Sequence, residues 1–388
     1  MRYPLKRKRF FLREHPQDSE AGLAEFFRTG ELLIQGDNKN ALQWLRTDPS
    51  ICRRISLVYI DPPFGTRQDF TVTPERIATV SRGNGGQVAY SDNLSGEAYL
   101  KFIKVRLQAL KEIMAQDGSI YVHIDCKVGH YVKCLMDEIF GSKNFINDIT
   151  RIKCNPKNFH RKGYGNVKDI ILFYKNGKDF IWNDLRWDIR IPLEDDRFRS
   201  VDPDGRRYTT TPLHAPGETR HGDTGKPWRG LRPPPGRHWR YPPRVLEELD
   251  KKGLIEWSST GNPRKKIHAD EVMKAGRKIQ DVWFFKDPQN PRYPTEKNPE
   301  ILKQIVANSS RPGDIVLDAF CGSGTTLIAA RELGRRWIGI DCSPVAISVA
   351  KKRLPGCGFV RLRDAVVEEI EWIPGPEKQL DWLKQGTI

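Results

Sequence analysis

Asp61-Pro62-Pro63-Phe64 closes an apolar, β-branched run, Ile55 to Ile60, and sets a carboxylate, a rigid turn and an aromatic ring at the mouth of an expected strand. Two successive prolines fix φ and remove two N–H donors, so such a turn presents carbonyls outward. An exocyclic amine on adenine or cytosine is a weak nucleophile, because its lone pair is delocalised into the ring. Hydrogen bonds from its two protons, one to the Asp61 carboxylate and one to the Pro62 carbonyl, favour a pyramidal nitrogen. Phe64 can then stack on the base and hold it in line with an electrophile. For Pro62-Pro63 alone, an ordinary strand-to-loop turn is the plain alternative.

The second constellation is Asp318-Ala319-Phe320-Cys321-Gly322-Ser323-Gly324-Thr325-Thr326, between an expected strand, Ile315 to Asp318, and an expected helix, Leu327 to Leu333. A glycine turn there offers free N–H groups and the positive end of the helix dipole. It is not a Walker A loop, since no Gly-Lys-Ser/Thr follows, and it lacks the third glycine of the dinucleotide fingerprint. An acid beside such a turn suits a ligand with a carboxylate and an ammonium group, as at the amino-acid end of S-adenosylmethionine. Asp341 ends the next strand, 23 residues after Asp318. An acid so placed can accept from both ribose hydroxyls, with an N-cap ahead of Ser343-Pro344 as the alternative.

The surrounding pattern is α/β. Leu32 to Ile34 reads as a strand ending at Gly36-Asp37-Asn38. Tyr99 to Met114 has helical spacing, Ser119 to Ile124 is a strand, Tyr131 to Phe140 a helix and Ile170 to Tyr174 a strand. From Phe180 to Pro291 the texture changes, with 13 of the 27 prolines and six of the ten tryptophans. The tryptophans favour an ordered domain over a flexible arm. From Tyr293 the α/β pattern returns. The halves read as one sheet interrupted by an insertion, dividing the chain into a basic arm (1–30), a first half (31–179), the insertion (180–291), a second half (292–370) and a tail (371–388).

Net charge is +16, and residues 151–300 carry 32 Lys+Arg against 21 Asp+Glu. A polyanion partner accounts for that surplus, although a merely solvated basic surface would carry it too. Lys6 to Arg9 fits either a phosphate-tracking arm or a solvated tail. No apolar stretch approaches the roughly 18 residues a membrane span needs, and the N-terminus lacks the apolar core of a secretory signal. Seven cysteines without a CxxC pair argue for a reducing cytosol and against a zinc site. The absence of a Pro-Cys dipeptide speaks against attack on a cytosine ring, and eight histidines without metal-ligand spacing speak against a metal centre. His123 reads as a core histidine rather than a base.

Together, Asp61-Pro62-Pro63-Phe64 and the Asp318 to Thr325 turn resemble the catalytic and cofactor motifs of the exocyclic-amino DNA methyltransferases. The catalytic motif precedes the cofactor motif, as in the β group, which includes many adenine-N6 enzymes of restriction–modification systems. The resemblance covers roughly Leu32 to Leu354. It implies a Rossmann-like class I methyltransferase fold in circularly permuted order, with a largely parallel sheet and an inserted target-recognition domain. By the same resemblance, Gly36-Asp37-Asn38 approaches the adenine of S-adenosylmethionine, while Tyr293-Pro294-Thr295-Glu296-Lys297, with Thr295 and Lys297 as candidates, packs near its methionine end. Asp318, Phe320, Cys321, Gly322, Ser323, Gly324, Thr325, Thr326 and Asp341 complete the cofactor site, with Cys321 a packing thiol. Two departures from the family pattern are the Phe64 ring, commonly Tyr, and Cys321, commonly a small residue.

The implied reaction is methyl transfer to adenine N6 in a flipped base of double-stranded DNA, with cytosine N4 as the alternative. Remoter alternatives are an RNA or protein amino-group methyltransferase and a catalytically silent DNA-binding subunit. Arg229, Arg232, Arg237, Arg240 and Arg264 are DNA-contact candidates that sequence does not separate. The resemblance leaves open a restriction endonuclease partner and a homodimer. It places the chain in the cytoplasm, at the nucleoid, with no metal and no membrane.

Overall fold

The computed structural model describes residues 30–63, 68–72, 87–92, 94, 96–155, 162–188, 190–192, 194–219, 221–289, 291, 293–294, 296–364 and 366–373. Phe64, Thr295, Lys6 to Arg9 and nearly all of the expected basic arm and tail lie outside them. The chain divides into two compact units. One combines the chain up to Asn183 with the chain from Gln280 onward, and the other is Asp184–Ile279.

The first unit is built on one ten-stranded sheet. In chain order its strands are β1 (Glu31–Gln35), β2 (Ile55–Ile60), β3 (Met114–Ile124), β4 (Phe145–Ile152), β5 (Lys168–Lys175), β6 (Val282–Trp283), β7 (Ile315–Asp318), β8 (Arg336–Asp341), β9 (Gly358–Arg363) and β10 (Val366–Trp372). Across the sheet they run β6-β4-β5-β3-β2-β7-β8-β1-β9-β10. From β3 to β9 every pairing is parallel, while β5 is antiparallel to both its neighbours and β10 is antiparallel to β9. All six residues of β2 are buried, as a strand covered on both faces requires.

Helices α1 (Asn38–Arg46), α2 (Gly96–Ile113), α3 (Cys126–Phe140), α4 (Pro299–Ser309), α5 (Thr325–Glu332) and α6 (Pro344–Arg353) connect these strands. Their starts follow from capping chemistry. Asp37, Asp125, Asn298 and Ser343 each accept a backbone N–H of the first turn, and prolines at 299 and 344 occupy first positions where no N–H is needed. Helix α5 differs: it follows Gly324 at φ 82° with no side-chain cap, so its first N–H groups are not consumed by a capping side chain.

Several expectations are corrected. Helix α3 begins at Cys126 rather than Tyr131, because Asp125 caps it through the Lys127 N–H at 2.8 Å. Strand β4 was not expected: Phe145-Ile146-Asn147-Asp148 breaks the apolar pattern, as befits a half-exposed strand near the sheet edge. The insertion is narrower than 180–291. Ile181 N–H donates to Asp117 O, and Val282–Trp283 pairs with Thr150 and Arg151, so both flanks belong to the first unit.

The second unit, Asp184–Ile279, is ordered around its tryptophans. Leu213, Trp228, Trp239, Leu246 and Ile255 form its core, with Trp228 stacked on Trp257 at 5.4 Å. A four-stranded antiparallel sheet runs Ile255–Trp257, Pro263–His268, Arg207–Pro212, Ser200–Val201.

Candidate active site

Four strands of the first unit, β2, β7, β8 and β1, lie side by side and parallel, so their C-terminal ends open at one edge. Asp61 follows β2, Asp318 ends β7, Asp341 ends β8, and Gly36-Asp37 follows β1. Register makes this concrete: Asp318 pairs with Tyr59, Gln35 pairs with Asp341, and Gly36 N–H donates to Asp341 O at 3.0 Å. The carboxyl edge of an open parallel sheet is where ligands are bound in such folds.

Asp61 is mostly buried. Its Oδ2 lies 2.6 Å from Lys297 Nζ, while Oδ1 is also buried and accepts no hydrogen bond from a described residue. Pro62 is buried behind it and Pro63 half-buried.

The glycine turn is held from three directions. Gly322 N–H donates to Asp341 Oδ2 at 2.8 Å, and Ser343 N–H donates to Asp341 Oδ1 at 2.8 Å, so each oxygen of that carboxylate already has one partner and a lone pair to spare. Cys321 N–H donates to Ile340 O, tying the turn to β8. Gly322 has φ 50°, and a Cβ there would sit 3.7 Å from the Tyr293 ring. Arg353, from α6, donates to Ser323 O, Ser323 Oγ and Thr325 Oγ1 and pairs with Glu296 at 2.9 Å. Glu296 and Lys297 thus reach different parts of the site, the turn and Asp61.

Burial pushes the Asp318 carboxyl up to about 7, opposed by hydrogen bonds from Thr326 and the Phe320 N–H and reinforced by the negative charges of Asp61 and Asp341. Burial likewise raises Asp341, and holds the Cys321 thiol far above its ordinary range with help from Asp341 and Asp318. Burial of Cys321 disfavours the thiolate.

At the β1 end, Asp37 serves two masters. Its Oδ1 caps α1, and its Oδ2 accepts from Arg106 at 2.7 Å. Arg106 is buried on α2, 3.5 Å over the Phe102 ring, and also donates to Asn38 Oδ1. Asn38 Nδ2 donates in turn to Ala319 O at 2.8 Å, joining this corner to the glycine turn. Arg106 and Arg353 carry no sequence signal beyond being charged residues on amphipathic helices.

His123 is fully buried, as a core histidine should be. Tyr59 Oη lies 2.8 Å from Nδ1 and Asp169 Oδ2 lies 3.2 Å from Nε2. Burial lowers its proton affinity, against the Asp169 hydrogen bond. Asp169 also receives Lys153 at 2.6 Å and Arg151 at 3.4 Å, and the His123 hydrogen bond with the charges of Lys153 and Lys297 holds it well below the carboxylate range despite its burial.

In the second unit the five arginine candidates separate. Arg229 is committed to Glu247 (2.8 Å) and Asp250 (2.6 Å). Arg232 is exposed. Arg237, Arg240 and Arg264 converge on one segment: Arg264 donates to Thr210 Oγ1, Arg240 to Pro212 O and Arg237 to His214 Nδ1. Burial lowers the proton affinity of His214, and these three cations lower it further.

A pattern of the N6/N4 methyltransferases, described as DNA methylase, matches residues 55–352. The chain belongs to this family. The methylase is 42% identical to the type II methyltransferase M.EcaI of Enterobacter cloacae over 83% of its own length and 68% of that protein's. It is 24% identical to the EcoP15I Mod subunit, a type III restriction-modification enzyme of Escherichia coli, over 76% of its length and 55% of the subunit's. The chain therefore spans about two thirds of one curated relative and about half of the other. A solved M1.HpyAVI-SAM complex covers 84% of the methylase and 100% of its own chain at 16% identity and a TM-score of 0.41. Methylases of this family draw their methyl group from S-adenosylmethionine, and the methylase is a DNA methyltransferase.

Proposed function

We propose that the chain methylates the N6 amino group of adenine at a specific site in duplex DNA. The observation that carries this reading is the Asp61 carboxylate. One oxygen is held by Lys297, while the other is buried at the acid-lined strand edge without a described partner. A buried acceptor with spare capacity is costly unless a donor arrives, and an exocyclic amine is such a donor.

The residues present fit S-adenosylmethionine. Asp318 is buried with both of the charges acting most strongly on it negative, so it meets an incoming ammonium or sulfonium favourably. Asp341 has lone pairs left for two ribose hydroxyls, and Gly322 leaves the approach open beside Tyr293. Asp37 and Asn38, pinned by Arg106, face the adenine end in this reading, with Phe320 beside them. Thr295 and Phe64 complete the cofactor and base contacts as proposals only, since both fall outside the described residues. When bound, the cofactor supplies an electrophilic methyl. Asp61 accepts one amine proton in a hydrogen bond, stabilises the positive charge that develops on nitrogen, and keeps the amine oriented.

Asp rather than Ser at position 61 favours adenine over cytosine within the family. The amine of a paired base is inaccessible, so the base is flipped out of the duplex. We assign recognition to the compact unit Asp184–Ile279, whose Arg237, Arg240 and Arg264 cluster supplies phosphate contacts. Arg232 remains a candidate, and Arg229 is reassigned to holding its own unit together. M.EcaI is named a type II methyltransferase and the Mod relatives are named parts of restriction-modification enzymes. A cognate endonuclease encoded beside this chain is the proposed partner, and the cytoplasm, at the nucleoid, its location. Among the described residues no helix is long and apolar enough to cross a membrane.

Expressing the chain in a host without DNA methylation, then sequencing plasmid DNA by single-molecule methods, tests base, atom and site together. N6-methyladenine in one short motif is expected. N4-methylcytosine would overturn the choice of base, and unmodified DNA from a folded protein would overturn the catalytic reading.

A further inference from the structure

We infer that Lys297 is a positioning residue for methyl transfer: by occupying Oδ2 of Asp61 it leaves Oδ1 as the single acceptor presented to the target amine. The inference rests on the reading of Asp61 given above. Lys297 sits where a contact near the methionine end of the cofactor was expected, yet its ammonium lies on the catalytic carboxylate at 2.6 Å.

Both partners are largely buried, with side chains 10% and 17% exposed. In such a place an ion pair is held in one geometry, where a solvated pair would exchange partners. A carboxylate is free to rotate about its last bond, so pinning one oxygen fixes the direction of the other. That second oxygen has no described partner. Charge argues the same way. Asp61 is faced by Tyr59 on its own strand, by His123 from β3, where burial disfavours the charged ring, and by the acid Asp318 from β7. Lys297 brings the positive charge that meets Asp61.

The segment that carries Lys297 meets the cofactor turn through Glu296 and is anchored again after Lys297. Asn298 caps α4 and its Nδ2 donates to Lys286 O at 3.0 Å. Nearby, Arg151 donates to Phe285 O at 2.8 Å and pairs with Asp287, whose N–H donates to Lys153 O. Arg151 and Lys153 both meet Asp169, which also contacts the His123 that touches Tyr59. One buried network therefore supports the strand that delivers Asp61 and the segment that delivers Lys297.

The test compares wild type, Lys297→Met, Lys297→Arg and Asp61→Ala in the full chain, measuring cofactor affinity by equilibrium dialysis and single-turnover methyl transfer to plasmid DNA. Melting curves confirm folding. For Lys297→Met the expected result is cofactor affinity within about threefold of wild type and a transfer rate down about 100-fold, the scale of losing one preorganised electrostatic partner. Lys297→Arg keeps the cation, so it should recover most of the lost rate. If Lys297→Met loses cofactor affinity in step with rate, Lys297 is a cofactor ligand and the inference fails. If Lys297→Met does not fold, Lys297→Arg decides, and a loss of cofactor affinity in step with rate there overturns the inference. Continued turnover by Asp61→Ala would instead sink the underlying reading of Asp61, whereas an inactive Asp61→Ala beside a wild-type-like Lys297→Met would remove this inference alone.

Discussion

Asp318 stands opposite Tyr59 across the β7–β2 pair, and burial, reinforced by the Asp61 carboxylate just beyond Tyr59, raises the proton affinity of both. The central acid of the cofactor edge is therefore half protonated near pH 7 in the free chain.

That value makes cofactor binding pH-dependent. Below pH 7 the Asp318 proton must leave before an ammonium group can be accepted, so affinity should rise about tenfold per pH unit up to 7 and then level off. Stability runs the other way. The folded value lies above the unfolded one, so the contribution is fully present below the ordinary carboxylate range and is lost as pH rises through about 7. Asp318→Asn should thus gain melting temperature relative to wild type between pH 5 and 8, while losing cofactor affinity. Melting curves and dialysis at both pH values check this, and a gap that does not widen with pH contradicts it.

Asp61→Ala should bind cofactor and DNA but lose turnover by about 100- to 1000-fold, as expected when a preorganised acceptor of developing charge is removed. Single-turnover assays with labelled cofactor measure it, and a rate near wild type refutes the role.

Arg106→Met should do two things together. It leaves Asp37 and Asn38 without their buried partner, at a cost of about 1–2 kcal/mol in urea unfolding, because the Asp37 carboxylate left behind is half exposed. It also frees Asn38 from its fixed orientation against Ala319, so cofactor affinity should drop about tenfold, equivalent to roughly 1.4 kcal/mol. Unchanged affinity in a folded variant would show that this corner supports the fold alone.

Arg237→Ala, Arg240→Ala and Arg264→Ala should each lower the slope of log affinity against log salt by about 0.9, the signature of one lost phosphate contact. Arg229→Ala should leave that slope unchanged, because Arg229 is already spent on Glu247 and Asp250. Fluorescence anisotropy with duplex DNA at four or five salt concentrations separates the two outcomes.

What was legible in the sequence was local. Asp61, Asp318 and Asp341 each end a strand, and a strand buried on both faces announces itself as an apolar run. The glycine turn carries its conformation in its composition, with Gly322 and Gly324 at positive φ. Arg106, Arg353 and the partner of Lys297 were not legible, because their roles depend on contacts between segments far apart in the chain. Nothing in the neighbourhood of Arg229 or Arg240 says which one meets acids and which does not. Asp169 reads as an ordinary strand-start acid, yet the fold surrounds it with Arg151, Lys153 and His123.

The strand order carries a consequence for biosynthesis. β1 and β2 follow one another in the chain but sit with a gap between them, and β7 and β8, translated roughly 255 residues later, fill it. Until those two strands emerge from the ribosome, the nascent sheet has an open seam at its centre, with two unpaired inner edges that invite mispairing. The compact unit Asp184–Ile279 is synthesised in the meantime and has its own core to fold around. The acid-lined edge is therefore assembled last: the Asp61 strand gains Asp318 as its neighbour, and β8 brings Asp341 beside Asp318, only when these strands close the seam.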